Sequence, residues 1–169
     1  GPELLRRLPS VDDVSVLSFD RARDVSLGVE TVDEVLRALR SALDLVVVDL
    51  PRPDHQLFGS LSAPVDEMVL LAGSGIGDLA GASAISGHLA QTFPGVWLCL
   101  RTGGHGSHFA DTVAGALDLP LLGVVREESS LATDLLHGIP PGSSSRSALA
   151  AVADKVLAQF VVSPRQRAS

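Results

Sequence analysis

Four places in the chain combine residue types that could do chemistry. Asp49 closes the apolar run Leu45-Val46-Val47-Val48 and precedes Leu50-Pro51-Arg52. An acid at the end of a buried strand can hold a magnesium-bound water facing a nucleotide phosphate; it can equally cap a turn or pair with Arg52. Gly73-Ser74-Gly75-Ile76-Gly77 could converge backbone N–H groups on an anion at a helix start. No Lys follows, the spacing does not fit G-x-x-x-x-G-K-[ST], and Asp78 would repel phosphate. A tight strand-to-helix turn explains these glycines as well. Gly103-Gly104-His105-Gly106-Ser107-His108 carries two imidazoles three apart, with no acid or Cys beside them to complete a metal site of three or four ligands. The bland reading is a loop with solvated histidines. Last, Arg126 ends a strand, and Arg146 lies in Pro141-Gly142-Ser143-Ser144-Ser145-Arg146-Ser147, where it could meet an anion or a partner, while Ser145 or Ser147 could cap the next helix. No nucleophile elbow, Ser-His-Asp arrangement or catalytic carboxylate pair is apparent.

The elements that must position these residues follow from periodicity. Val14 to Phe19 alternates and reads as a strand. Thr31-Val32-Asp33-Glu34 has the form of a capping box, and Val32, Val35, Leu36, Leu39 and Leu43 share one helix face. Leu45 to Leu50 has no polar alternation, which predicts a strand buried on both faces, ended by Pro51-Arg52-Pro53. Gln56 to Leu61 suggests a short helix. Strands are then expected at Met68–Ala72, Val96–Leu100 and Pro120–Val125. Helices are expected over Asp78–Thr92, from Ser107 or His108 to Leu117, over Ser130–His137 with Gly138 as its stop, and over Ser147–Phe160. This alternation predicts an α/β fold with a mostly parallel sheet flanked by helices, forming one domain over residues 1–169. The ordered core is expected at about residues 8–160, with a frayed tail at 163–169. Ligand-side loops of such a sheet begin at Asp49, Gly73, Arg101 and Arg126, which adds Gly75 and Thr102 to the candidate positions.

Composition narrows the classes. A hydrophobic fraction of 46% over 169 residues is enough for a core. A net charge of −7 argues against general attraction to nucleic acid or anionic lipid. With five Phe, one Trp and no Tyr, a stacking platform for bases is not expected. The single Cys99 excludes an intrachain disulfide framework and reads as a buried small hydrophobe. No apolar run is long enough for a membrane span and no signal-peptide pattern opens the chain, so the expectation is a cytoplasmic protein.

Several stretches together resemble the MinD/ParA class of P-loop ATPases, and more closely the CpaE/TadZ-like, septum-site-determining (Ssd-type) proteins of actinobacteria. Asp44-Leu45-Val46-Val47-Val48-Asp49-Leu50-Pro51 resembles the family's strand into the Walker B and switch II acid. Leu119 to Arg126 resembles its late strand and turn. Leu135-Leu136-His137-Gly138-Ile139-Pro140-Pro141 resembles its G-x-P loop, and Leu8 to Val11 with Val14 to Phe19 its segment before the middle helix. The resemblance implies a nucleotide- and magnesium-side role for Asp49, Pro51 and Arg52, with ATP and Mg2+ as cofactors of full-length relatives but none in this chain. It also implies contacts with the division machinery or with a pilus or secretion apparatus.

The departures are specific. There is no Walker A loop, the strand-end Asn used near adenine is replaced around Leu100-Arg101-Thr102, and Leu50 and Arg52 stand where active relatives keep small residues. The family's P-loop strand would lie before Gly1, between the strands ending at Asp49 and Ala72. Either those two strands then pair directly or another chain supplies the contacts, and a homodimer is expected. The implied function is a regulatory or positioning module without nucleotide hydrolysis of its own. The alternatives are the C-terminal half of an active ATPase whose P-loop lies upstream, and a small-molecule enzyme built on the Gly103–His108 loop.

Overall fold

The computed structural model describes residues 5–11, 14–18, 28–50, 65–104, 107–144 and 146–160. The chain divides into two compact units, Gly1–Pro64 and Val65–Ser169.

In the first unit, β1 (Ser10–Val11) and β2 (Val14–Ser15) form a short antiparallel hairpin. The strand expected over Val14–Phe19 therefore stops at Ser15 among the described residues. Helix α1 spans Val29–Arg40 with Gly28 as its N-cap. Thr31 consequently sits inside the first turn, and its backbone N–H donates to the Gly28 carbonyl at 3.0 Å. The expected capping box does not form, because the helix starts ahead of it. Leu36 and Leu39 are the buried positions of this helix. Asp33 and Arg37 form an i,i+4 pair at 2.7 Å, whose hydrogen bond and charge raise the Arg37 pKa.

Residues 45–50 correct the sequence reading. They form no helix or strand, Asp49 is exposed, and Val47 is 79% exposed. An apolar β-branched run becomes a buried strand only where neighbouring strands complete its hydrogen bonds, and no ladder partner for it exists among the described residues. The helix expected over Gln56–Leu61 lies outside the described residues, as do Pro51 and Arg52.

The second unit carries the α/β architecture. Strands β3 (Met68–Gly73), β4 (Val96–Thr102) and β5 (Leu121–Arg126) form a parallel sheet in the order β3-β4-β5. Helix α2 (Ile76–Thr92) connects the first pair and α3 (Ser107–Leu117) the second. After β5 come α4 (Leu131–Leu136) and α5 (Ala148–Phe160). Both βαβ links follow from geometry, since parallel neighbours need a crossover and a helix supplies it.

Leu98, Leu100 and Thr102 are fully buried on one face of β4. The buried residues Ala82, Ser86 and Leu89 of α2 lie at helical spacing, and α3 buries Ala110, Val113, Ala114 and Leu117. The alternate face of the sheet receives α5. A Cβ at Gly123 would stand 3.0 Å from Val152 Cγ2, so a glycine there lets the helix approach the sheet. Trp97 and Phe160 meet edge to face with centroids 6.0 Å apart. Cys99 is buried as expected, and burial raises its thiol pKa while Lys155 opposes the shift. Gly138 closes α4 at φ +73°, the role read for it from sequence.

At the start of the sheet, Trp97 Nε1 donates to Glu67 Oε2 at 3.0 Å, and the same carboxylate lies over Gly95. A Cβ at Gly95 would collide with that oxygen, so Gly95→Ala should displace Glu67 and break the indole hydrogen bond. The expected cost is about 1 kcal/mol, since the glutamate is long enough to move aside. A red shift in the emission of Trp97, the sole tryptophan, measured beside thermal melting, checks it.

Candidate functional site

The C-terminal edge of the sheet gathers most of the positions singled out from sequence. Gly73 is in register with Arg101, and Thr102 with Arg126. Gly75 is the N-cap of α2, with extended backbone. Arg101 and Arg126 are exposed, whereas Thr102 is fully buried. The Thr102 carbonyl accepts the Glu127 N–H at 3.2 Å, while its hydroxyl has no hydrogen-bond partner among the described residues. Asp49 belongs to the first unit. His105 lies outside the described residues and His108 is exposed. Among the described residues, no group of three or more His, Cys, Asp or Glu is placed to hold a metal ion.

The glycine turn after β3 is filled from within. The Asp78 carboxylate folds back over it, so that a Cβ at Gly73 would collide with Asp78 Oδ2 and one at Gly75 would stand 3.1 Å from it. An aspartate in the first turn of a helix complements the positive end of the helix dipole. Its negative charge opposes an external anion at this turn, and its closeness gives Gly73 and Gly75 a local structural reason.

A second helix start is capped directly, by a residue that sequence reasoning missed. Glu128 Oε1 accepts the Ser147 hydroxyl at 2.7 Å, the Ala148 N–H at 2.7 Å and the Leu149 N–H at 3.5 Å. Ser147 Oγ in turn accepts the N–H groups of Leu149 at 3.1 Å and Ala150 at 3.4 Å. Of the two serines expected to cap this helix, Ser147 does so; Ser145 lies outside the described residues. The Ser147 hydroxyl, with the two backbone N–H groups behind it, holds the Glu128 carboxyl below the usual carboxylate range, against a smaller opposing effect of burial. The partners are 19 to 21 residues apart, too far for any capping motif read along the sequence.

Between the turn after β5, α4 and the start of α5 lies an open cleft of about 470 Å3, lined among others by Arg126, Glu127, Glu128, Asp134, Pro140 and Arg146. Arg126 and Arg146, proposed separately from sequence, thus share one wall system, although three acids share it with them.

The fold and this edge define an α/β protein with a three-stranded parallel sheet and helices on both faces, in which one acid lies over the glycine turn before α2 and another caps the start of α5. No family model matches the chain. It is 33% identical over 150 residues, 89% of its length, to uncharacterized protein Rv3660c of Mycobacterium tuberculosis strain H37Rv. The same figures hold for uncharacterized protein MT3760 of strain CDC 1551 / Oshkosh. The matched residues make up 42% of each relative, so the chain spans less than half the length of the curated relatives it matches. No helix among the described residues is long and apolar enough to cross a membrane.

Proposed function

We propose that this chain is a regulatory or positioning module that works by protein–protein contact and does not hydrolyse nucleotide by itself. The process implied by the resemblance to MinD/ParA-class ATPases, and more closely to the CpaE/TadZ-like proteins, is placement of a division septum or of a pilus or secretion apparatus in the cytoplasm. The observation that carries the reading is Asp78, whose carboxylate lies against the glycine-rich turn between β3 and α2. Phosphoryl transfer needs backbone amides and a cation around the β- and γ-phosphates. A carboxylate in that position repels them, and the only lysine of the sequence, Lys155, lies on α5.

The test is twofold. Magnesium-ATP titrated into the purified chain should give neither binding heat nor phosphate release above buffer background. Hydrolysis that Asp49→Ala abolishes would overturn the reading. A fluorescent fusion of the chain in an actinobacterial cell should concentrate at septa or poles, and uniform fluorescence would remove the positioning role.

The length of the relatives favours a second reading. In it the chain is the C-terminal part of an ATP-hydrolysing MinD/ParA-type protein whose upstream P-loop holds ATP and Mg2+. ATP hydrolysis by full-length Rv3660c, absent from the matched stretch alone, would support it.

A further inference from the structure

We propose that residues 129–146 form a strap, closed at its base by a clasp between Glu128 and the start of α5. The strap opens as one unit while the sheet stays folded, and so sets the width of the cleft beside it. The inference is independent of the functional reading above. Both ends of the strap are fixed. Glu128 follows β5, and Ser147 opens α5, which packs on β5.

Between those ends the chain has little hold on the rest of the second unit. From Ser129 to Ser144 no residue is buried; Leu131, Asp134 and Gly142 are half-buried and the others exposed. The apolar side chains are poor anchors, since Leu135 is 52%, Leu136 86% and Ile139 44% exposed. The hydrogen bonds of the segment run among its own residues and its base. Asp134 N–H donates to the Ser130 carbonyl, Ile139 N–H to Asp134, Ser143 N–H to Pro140 and Ser147 N–H to Ser144. Gly142 approaches α5 only at ordinary contact distance, where a Cβ would stand 3.5 Å from the Ala150 nitrogen. Helix α4 has six residues, too few to persist by itself in water. Its persistence therefore depends on its ends being held.

One carboxylate holds them together. Glu128 accepts the Ser147 hydroxyl and the Ala148 and Leu149 N–H groups, and so joins the residue before the strap to the residues after it. Among the described residues no other hydrogen bond or ion pair spans this base. Hydrogen bonds to an ionised carboxylate are among the strong ones, which suits a single closure. Segments with few buried contacts and exposed backbone hydrogen bonds open below the free energy of global unfolding, and the strap has both properties. The strap carries Asp134, Ile139, Pro140 and Arg146 of the cleft wall, whereas the end of the sheet carries Arg126 and Glu127. Release of the clasp therefore lets one wall move away from the other, and the cleft that holds both arginines is open or closed according to Glu128.

The test is amide hydrogen exchange on the full chain at neutral pH, resolved by residue with NMR. The N–H groups of Asp134, His137, Gly138 and Ile139 are all hydrogen-bonded. They should exchange with one shared opening constant, at least about tenfold larger than that of Leu98 and Leu100 in β4. Urea below the unfolding transition should speed Leu98 and Leu100 and leave the four strap amides nearly unchanged, because opening the strap exposes little new surface. This arm needs no variant. Glu128→Ala should speed all four strap amides by one common factor of at least about ten. Glu128→Gln, which keeps an acceptor oxygen, should speed them less. Three results would each overturn the proposal: strap amides as slow and as urea-sensitive as those of β4, strap amides with unrelated rates, or strap rates indifferent to Glu128→Ala in the folded protein.

Discussion

Leu98→Ala is expected to cost the second unit about 2–5 kcal/mol, enough to unfold it if its stability is ordinary. Leu98 is 0% exposed and sits in the central strand of the sheet, in register with Leu70 on one side and Leu121 on the other. Helices pack over both faces of this sheet, so the cavity left by truncation cannot collapse without moving a helix. The matching control is Val47→Asp. A reading of Leu45–Leu50 as a buried strand makes that change ruinous, because an unpaired charge in a sheet core is costly. With Val47 79% exposed and outside any strand, the change should instead alter stability by no more than about 0.5 kcal/mol. Urea unfolding followed by circular dichroism checks both. The two midpoints should differ widely, and a Val47→Asp protein that fails to fold would restore the strand.

Ser147→Ala should be the next largest effect. It removes the cap that accepts two N–H groups of α5 and the hydroxyl that donates to Glu128. Loss of a serine N-cap costs about 0.5–2 kcal/mol, and the upper part of that range is expected because Ser147 is buried. The pH dependence follows from Glu128. Its carboxyl is held lower in the folded chain than in the unfolded one, so the unfolded state binds the proton more readily. The stabilisation is therefore complete above the ordinary glutamate range and is lost as pH falls through the folded value, below that range. Glu128→Gln should remove this acid-side dependence while keeping the shape of the side chain. Ser147→Ala should shrink it, because the hydroxyl is the largest cause of the shift. Urea midpoints measured from neutral to acid pH for the three proteins test the assignment. Identical pH profiles in wild type and Glu128→Gln would show that another carboxylate carries the dependence.

Legibility in the sequence followed the range of the interactions involved. The second unit was readable almost element by element: Met68–Ala72, Val96–Leu100 and Pro120–Val125 lie within a residue or two of the strands that form, and the helices between them start at the glycines and serines that mark them. Apolar runs, small-residue helices and Gly138 each carry their structural instruction locally, and a crossover leaves parallel pairing as the arrangement for successive strands. The composition of Leu45–Leu50 is as strand-like as that of Met68–Ala72, yet only the latter is in a ladder. A strand is completed by its neighbours, and no property of six residues in a row specifies whether a neighbour is there. The candidate edge divides in the same way. Gly73, Gly75, Arg101, Thr102 and Arg126 could be placed at strand ends from sequence, because strand ends are local features. The acid beside the glycine turn, Asp78, was legible for the same reason, since it lies five residues from Gly73. That Glu128 reaches across 19 residues to Ser147 was decided by the tertiary structure alone, since a carboxylate finds a distant helix start in space and not along the chain.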